Sequence, residues 1–310
     1  MKELYSKVSI GELCGLFGYT RQNFYKTSKI STKRNQFEEL IITEVKAIRM
    51  DQPRIGTSKL QYLLNQKLGS EYIGRDKLHG ILGDKNMLIR RRKKFRPKMT
   101  NGNGESLYPD LRKELKVQRI NQLWCSDITY IELRTRQKHC YLVCVTDEYS
   151  HLIVGYHLGL RMRTWQVLQA MQMAVDSQLE EGNESFSKPL IIHSDRGSQY
   201  KSLDFKIRTK KWNMLCSMTR AGKSYENPVA ERLNGILKNE LLVQDFFNSF
   251  EEAQKAIERA IKIYNEERPH LSCNMLTPKQ AHLESDLLKV PLKKLWRQRK
   301  RKAKKKKKNL

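Results

Sequence analysis

The period of apolar positions changes near Gln122. Beyond it, residues 123–131 (LWCSDITYI), 139–147 (HCYLVCVTD) and 151–159 (HLIVGYHLG) are short apolar runs joined by polar turns, the pattern of a three-stranded antiparallel meander. A helix is predicted over 163–181, a fourth strand from Pro189 to Asp195, a short helix over 202–212 and a fifth strand from Met214 to Met218. Pro228 then opens a helix to about Leu242, with Asn227 as its N-cap and Ala230, Leu233, Leu237 and Leu241 as its apolar stripe. The order β-β-β-α-β-α-β-α predicts an α/β fold: a mixed five-stranded sheet of three antiparallel strands followed by parallel crossovers, with flanking helices.

The first third has a helical period instead. Ile10, Leu13, Leu16 and Phe17 form one stripe, and Thr20 is placed as the N-cap of a second helix. A weak repeat follows: IGTSKLQYLLNQK (55–67) matches IGRDKLHGILGDK (73–85) at six positions, including Leu60/Leu78 and Leu64/Leu82. Two short helices this close in sequence suit a helix-turn-helix pair that places one helix in a DNA groove. Residues 99–118, with Asn101-Gly102-Asn103-Gly104, are expected to be a linker.

Charge adds a partner to this picture. The 310 residues carry 60 Lys+Arg against 33 Asp+Glu, a formal +27, which points to a polyanion and so to nucleic acid. Residues 90–98 (RRRKKFRPK) hold seven basic residues and no acid, making Arg90, Arg91, Arg92, Lys93 and Lys94 candidate DNA contacts. Residues 293–308 hold twelve more, expected to be a nonspecific electrostatic tail. No apolar run is long enough to span a membrane, and the N-terminus is not a signal peptide. The six cysteines form no CxxC pair, which fits free thiols in a reducing cytosol; Cys140 and Cys144, at even offset in one strand, are read as packed thiols rather than zinc ligands.

The candidate chemistry lies in three acids. Asp195 ends the fourth strand in IIHSDRGSQY (191–200), where a glycine turn follows and an unpartnered acid would be costly. Asp127 stands on the first strand, and Glu231 on the last helix, where Asn234 and Lys238 share its polar face at i+3 and i+7. Three converging carboxylates repel unless cations intervene. All-oxygen donors select Mg²⁺ or Mn²⁺, and two such ions promote phosphoryl transfer with no nucleophilic side chain. Asp147, at a strand-to-turn boundary, is expected to cap its turn. His193 is read either as a packed imidazole or as a phosphate contact. Glu240 is rejected as the third acid because it lies half a turn around the helix from Glu231.

Three motifs, W-x-x-D-I-T-Y-I (124–131), H-S-D-R-G-S-Q-Y (193–200) and the run from Ser217 through E-N-P-V-A-E-R-L-N-G-x-L-K to Glu240, resemble the catalytic core of bacterial insertion-sequence transposases of the two-reading-frame kind, close to retroviral-type integrases. Between Asp195 and Glu231 lie the 35 residues of the family's Asp-Asp-35-Glu (DDE) pattern, and Lys238 matches its basic residue seven beyond the Glu. Y-N-E-E-R-P-H (264–270), Leu271 and Thr277-Pro278 match its closing segment, so the likeness covers about residues 10–285.

The resemblance implies an RNase H-like core and a DDE polynucleotidyl transferase. Its catalytic and metal-binding residues would be Asp127, Asp195 and Glu231, probing double-stranded DNA at element ends and target through Lys238, Asn234 and the basic run. It further implies two Mg²⁺ ions, action as a homo-oligomer on DNA in the bacterial cytoplasm at the nucleoid, and a companion upstream-frame product or a frameshift fusion with it. The division expected is a helix-turn-helix-like segment (1–30), a helical DNA-binding module (31–90), a basic linker (91–118), the catalytic core (119–245), a C-terminal helical extension (246–285) and the basic tail (286–310). Glu226-Asn227-Pro228 departs from the family's usual Asp-Asn-Ala, which a proline tolerates at a helix start. Two other functions fit parts of the chain: an RNase H-type nuclease or integrase outside transposition, and a non-catalytic DNA-binding regulator. The N-terminal helical modules argue against the first, and the intact acids against the second.

Overall fold

Alternate residues of one strand divide the core of the computed structural model, which describes residues 8–69, 72–90, 106–220, 227–242, 244, 246–285 and 288. In β2 (His139–Asp147), Cys140, Leu142 and Cys144 pack on one face of the sheet, while Val143 and Val145 pack on the other. Around it β1 (Leu123–Glu132), β3 (Ile153–Gly159), β4 (Leu190–Ser194) and β5 (Met214–Met218) complete one sheet of order β3-β2-β1-β4-β5. The pairs β1–β2 and β2–β3 are antiparallel; β1–β4 and β4–β5 are parallel. This is the mixed five-stranded sheet expected.

One face is covered by α5 (Thr164–Gln178), α6 (Ser198–Lys201) and α7 (Leu203–Lys211), through Val167, Met171, Tyr200 and Phe205. The close approach of α5 requires a glycine. A Cβ at Gly155 would stand 2.2 Å from the Ala170 carbonyl oxygen. The other face is covered by α8 (Pro228–Ile236), a π-helical turn (Leu237–Leu241) and α9 (Phe250–Glu266), through Leu233, Leu237, Ile257 and Ile261. A 3-10 turn (Leu271–Cys273) and α10 (Pro278–Leu283) follow.

The helical module has its own core. Ser9 and Glu12 form a capping box on α1 (Ile10–Leu16), and Thr20 caps α2 (Arg21–Asp51). The junction placed at residue 30 falls inside α2, which contains neither Gly nor Pro and ends just before Pro53. The repeat is structural: Gly56 and Gly74 occupy the same N-cap conformation before α3 (Thr57–Lys67) and α4 (Arg75–Asp84). Leu60, Leu64, Leu78 and Leu82 then bury against Ile41 and Val45 of α2.

Several local expectations need correction. β3 starts two residues late because His151 takes a left-handed φ of 61° in the turn. The end of the expected linker is docked: Met218 N–H donates to the Pro109 carbonyl and Leu111 N–H to Ser217 Oγ, aligning it along β5. Asn227 holds the N-cap position of α8, but its side chain makes no capping bond. Among the described residues no helix is long and apolar enough to cross a membrane.

Candidate active site

Strand register sets the first two acids side by side. β1 and β4 run parallel with Ser126 opposite Ser194, so Asp127 and Asp195 follow directly on the last paired residues of neighbouring strands. β4 ends there while β1 continues to Glu132, which leaves Asp195 exposed at the sheet's notch. Its Oδ1 accepts the Gly197 N–H at 3.0 Å, tightening the turn that the sequence signals.

Asp127 pairs across β1–β2 with Cys144, whose face of the sheet is the one α8 covers. Two amides of α8 hold this region. Asn234 Nδ2 donates to Asp127 Oδ2 at 2.7 Å, and Asn227 Nδ2 donates to the Ser126 carbonyl at 3.2 Å. This explains the missing cap: the Asn227 amide crosslinks helix to strand beside the acid instead. Glu231 lies exposed in the first turn of α8, where the helix dipole favours a negative charge.

The electrostatics show that the acids share one field. Burial pushes the Asp127 carboxyl up to about 7; the Asp195 charge and, less strongly, the Glu231 charge add to the rise, against the Ile128 N–H and the Asn234 amide. Although the Asp195 side chain reaches solvent, the protein packed around it strips away enough water to raise its carboxyl, opposed by the Gly197 N–H and by Arg196 and Lys201. Carboxyls so disfavoured as anions suit a cation, and the donors are all oxygens.

Other candidates fall in different places. Lys238 lies in the π turn with its ammonium 5.0 Å from the Tyr130 ring centroid, on the strand that bears Asp127. Arg90 is exposed beyond α4, whereas Arg91, Arg92, Lys93 and Lys94 lie outside the described residues. Asp147 caps its turn, accepting the Ser150 N–H on Oδ1 and the Asn121 N–H on Oδ2, both at 2.8 Å. His193 is buried with Nδ1 2.9 Å from Ser217 Oγ. Glu240 turns away to Arg268. The roles of Asn227, of Ser126 bonded to Tyr200, and of Asn234 as a brace for Asp127 were missed in the sequence. Only the shared helix face of Asn234 and Glu231 hinted at the last.

Two family models, both described as integrase core domain, match residues 117–224 and 213–278. The insertion element IS600 uncharacterized 31 kDa protein of Shigella sonnei is 30% identical over 270 residues, covering 86% of this chain and 96% of the relative. Transposase InsF for insertion sequence IS3A of Escherichia coli K12 is 27% identical over 288 residues, 89% of this chain and 94% of its own. The HTLV-2 integrase catalytic core domain in complex with magnesium aligns over 54% of this chain and 99% of that one, with 19% identity and a TM-score of 0.41.

Proposed function

We infer the chemistry of this chain from the family to which it belongs, the insertion-element transposases with an integrase core domain. It is a DNA transposase, and we assign its strand cleavage and strand transfer to Asp127, Asp195 and Glu231. The observation that supports this assignment is the Asp127 carboxyl, pushed up to about 7 by burial and further by the charges of Asp195 and Glu231.

The three carboxylates would hold divalent ions, two Mg²⁺ or Mn²⁺, since their donors are oxygens alone. The chemistry such ions supply is activation of an attacking oxygen and stabilisation of a leaving one at phosphorus. Asn234 fixes Asp127 Oδ2 and so orients the other oxygen. Asn227 keeps α8, and hence Glu231, against β1. In cleavage, water attacks the phosphodiester at an element end, the P–O3′ bond breaks, and a 3′-hydroxyl is freed. In joining, that hydroxyl attacks a target phosphate; a new P–O bond forms as the target's own P–O3′ bond breaks. Lys238, two turns from Glu231, would contact the element end. The helical module and the basic run would bind duplex DNA, with a second copy and an upstream-frame product or fusion completing the complex.

A strand-transfer assay with DNA carrying the element's own ends and Mg²⁺ tests this. Asp127→Asn, Asp195→Asn and Glu231→Gln should each abolish cleavage and joining while DNA binding stays within a few-fold. Lys238→Ala should weaken engagement of the ends and keep metal binding. Robust joining by any acid variant would refute the assignment; cleavage with no joining by the wild type would make the chain a nuclease.

A further inference from the structure

A second cluster of ligating side chains lies behind α8. His151 comes from the β2–β3 turn, His270 and Cys273 from the segment after α9, and one ligand atom from each lies within 4.8 Å of the others. The two imidazole rings stand 4.6 Å apart, tilted by 31°. His270 is 3% exposed and Cys273 fully buried. His270 Nδ1 is buried without a hydrogen-bond partner, a costly state for an imidazole. The Cys273 thiol donates to the Ser150 carbonyl at 3.2 Å. A cavity of about 170 Å³ opens beside both histidines and is lined by Tyr264 and by Arg232 and Ile236 of the α8 helix.

We propose that His151, His270 and Cys273 form a zinc site that ties the closing segment to the β2–β3 turn. Two imidazoles and a thiolate are borderline-to-soft donors, which favour Zn²⁺ and reject the Mg²⁺ of the carboxylate site. Zinc bonds of about 2.0–2.3 Å in a tetrahedron put donors roughly 3–4 Å apart, so the trio needs only a small inward shift. A water in the adjoining cavity completes the fourth position. On binding, Cys273 gives its proton to solvent and both imidazoles enter neutral. Arg232 and Arg268 oppose a cation here, and Lys59 adds to them at His270. The thiolate, together with Asp147 near Cys273 and Glu148 near His151, offsets them. The segments joined are sequence-distant, so the metal would hold the closing segment against the back of the helix bearing Glu231.

The test is cobalt titration of the untagged full chain, with Co²⁺ standing in for Zn²⁺. One equivalent should give a thiolate-to-cobalt charge-transfer band that one equivalent of Zn²⁺ removes and a large excess of Mg²⁺ does not. Cys273→Ser and His270→Asn should lose the band; Cys125→Ser and Asp127→Asn should keep it. A wild type without the band, a reading that needs no variant to fold, overturns the proposal and leaves the trio as packed neutral side chains. Survival of the band in Cys273→Ser overturns it equally.

Discussion

Asp127 is held against its own preference, since its carboxyl ionises near pH 4 when free and at about 7 in the fold. The folded chain therefore binds a proton at this carboxyl that the unfolded chain releases between those values, and the contribution of Asp127 to stability must fall as pH rises through that window. Without divalent ions, the stability advantage of Asp127→Asn over the wild type should grow from about pH 4 to about pH 7 and reach on the order of 2 kcal/mol at pH 8 after allowance for solvent contact. Thermal melts across a pH series measure this, and added Mg²⁺ should close most of the gap for the wild type alone. A difference between the two proteins that stays constant across the window would show that Asp127 is already compensated. Because the acids act as one unit, a double variant such as Asp127→Asn/Glu231→Gln should be barely slower than either single one; single-turnover strand transfer reads the difference.

At the scale of elements, α8 is the part that must be placed. Its two asparagines fasten it to β1, and the π turn at its end rotates Glu240 onto Arg268, which donates from Nε at 2.9 Å and from Nη2 at 2.7 Å. Arg268 is 2% exposed, so removing its partner strands a buried charge. Glu240→Gln should cost about 3–5 kcal/mol in denaturant unfolding, and Glu240→Gln/Arg268→Met should recover much of it. An equal loss in the single and double variants would mean that packing, not charge, is at stake. The sequence made the strands, the mixed character of the sheet and the Asp–Asp–Glu spacing readable, because strand and helix periods reveal which face a residue occupies. Period does not reveal which distant group meets that face. Asn227 therefore read as a cap though it crosslinks to Ser126, the π turn was hidden in an ordinary helical stripe, and the Arg268–Glu240 pair left no local mark. His151 escaped notice for the same reason, being more than a hundred residues from Cys273.

For the whole molecule, the helical module and the core meet through charge. Lys59 on α3 reaches Glu240 at 3.4 Å, and Asp51 at the end of α2 pairs with Arg259 of α9. Burial and the Arg268 charge push the Lys59 ammonium down to about 8 despite Glu240, so this link weakens in mild alkali. The twelve basic residues of 293–308 act differently. Removing everything after Leu292 should lower affinity for random duplex and flatten the slope of log K against log salt, leaving the preference for element ends intact. Binding to specific and random duplexes over a salt series decides this; loss of the end preference alone would make the tail a reader of sequence. The pair formed by Glu240 and Arg268 also sets an order in time. Synthesis delivers Asp127, Asp195 and Glu231 before α9 and Arg268, so a nascent chain carries all three acids before it carries the clamp on the π turn that follows the helix of Glu231. Chains released after residue 242 should bind DNA yet join none, while chains released after residue 285 should join. A ribosome-bound chain should thus stay harmless to DNA until α9 and Arg268 have emerged and folded.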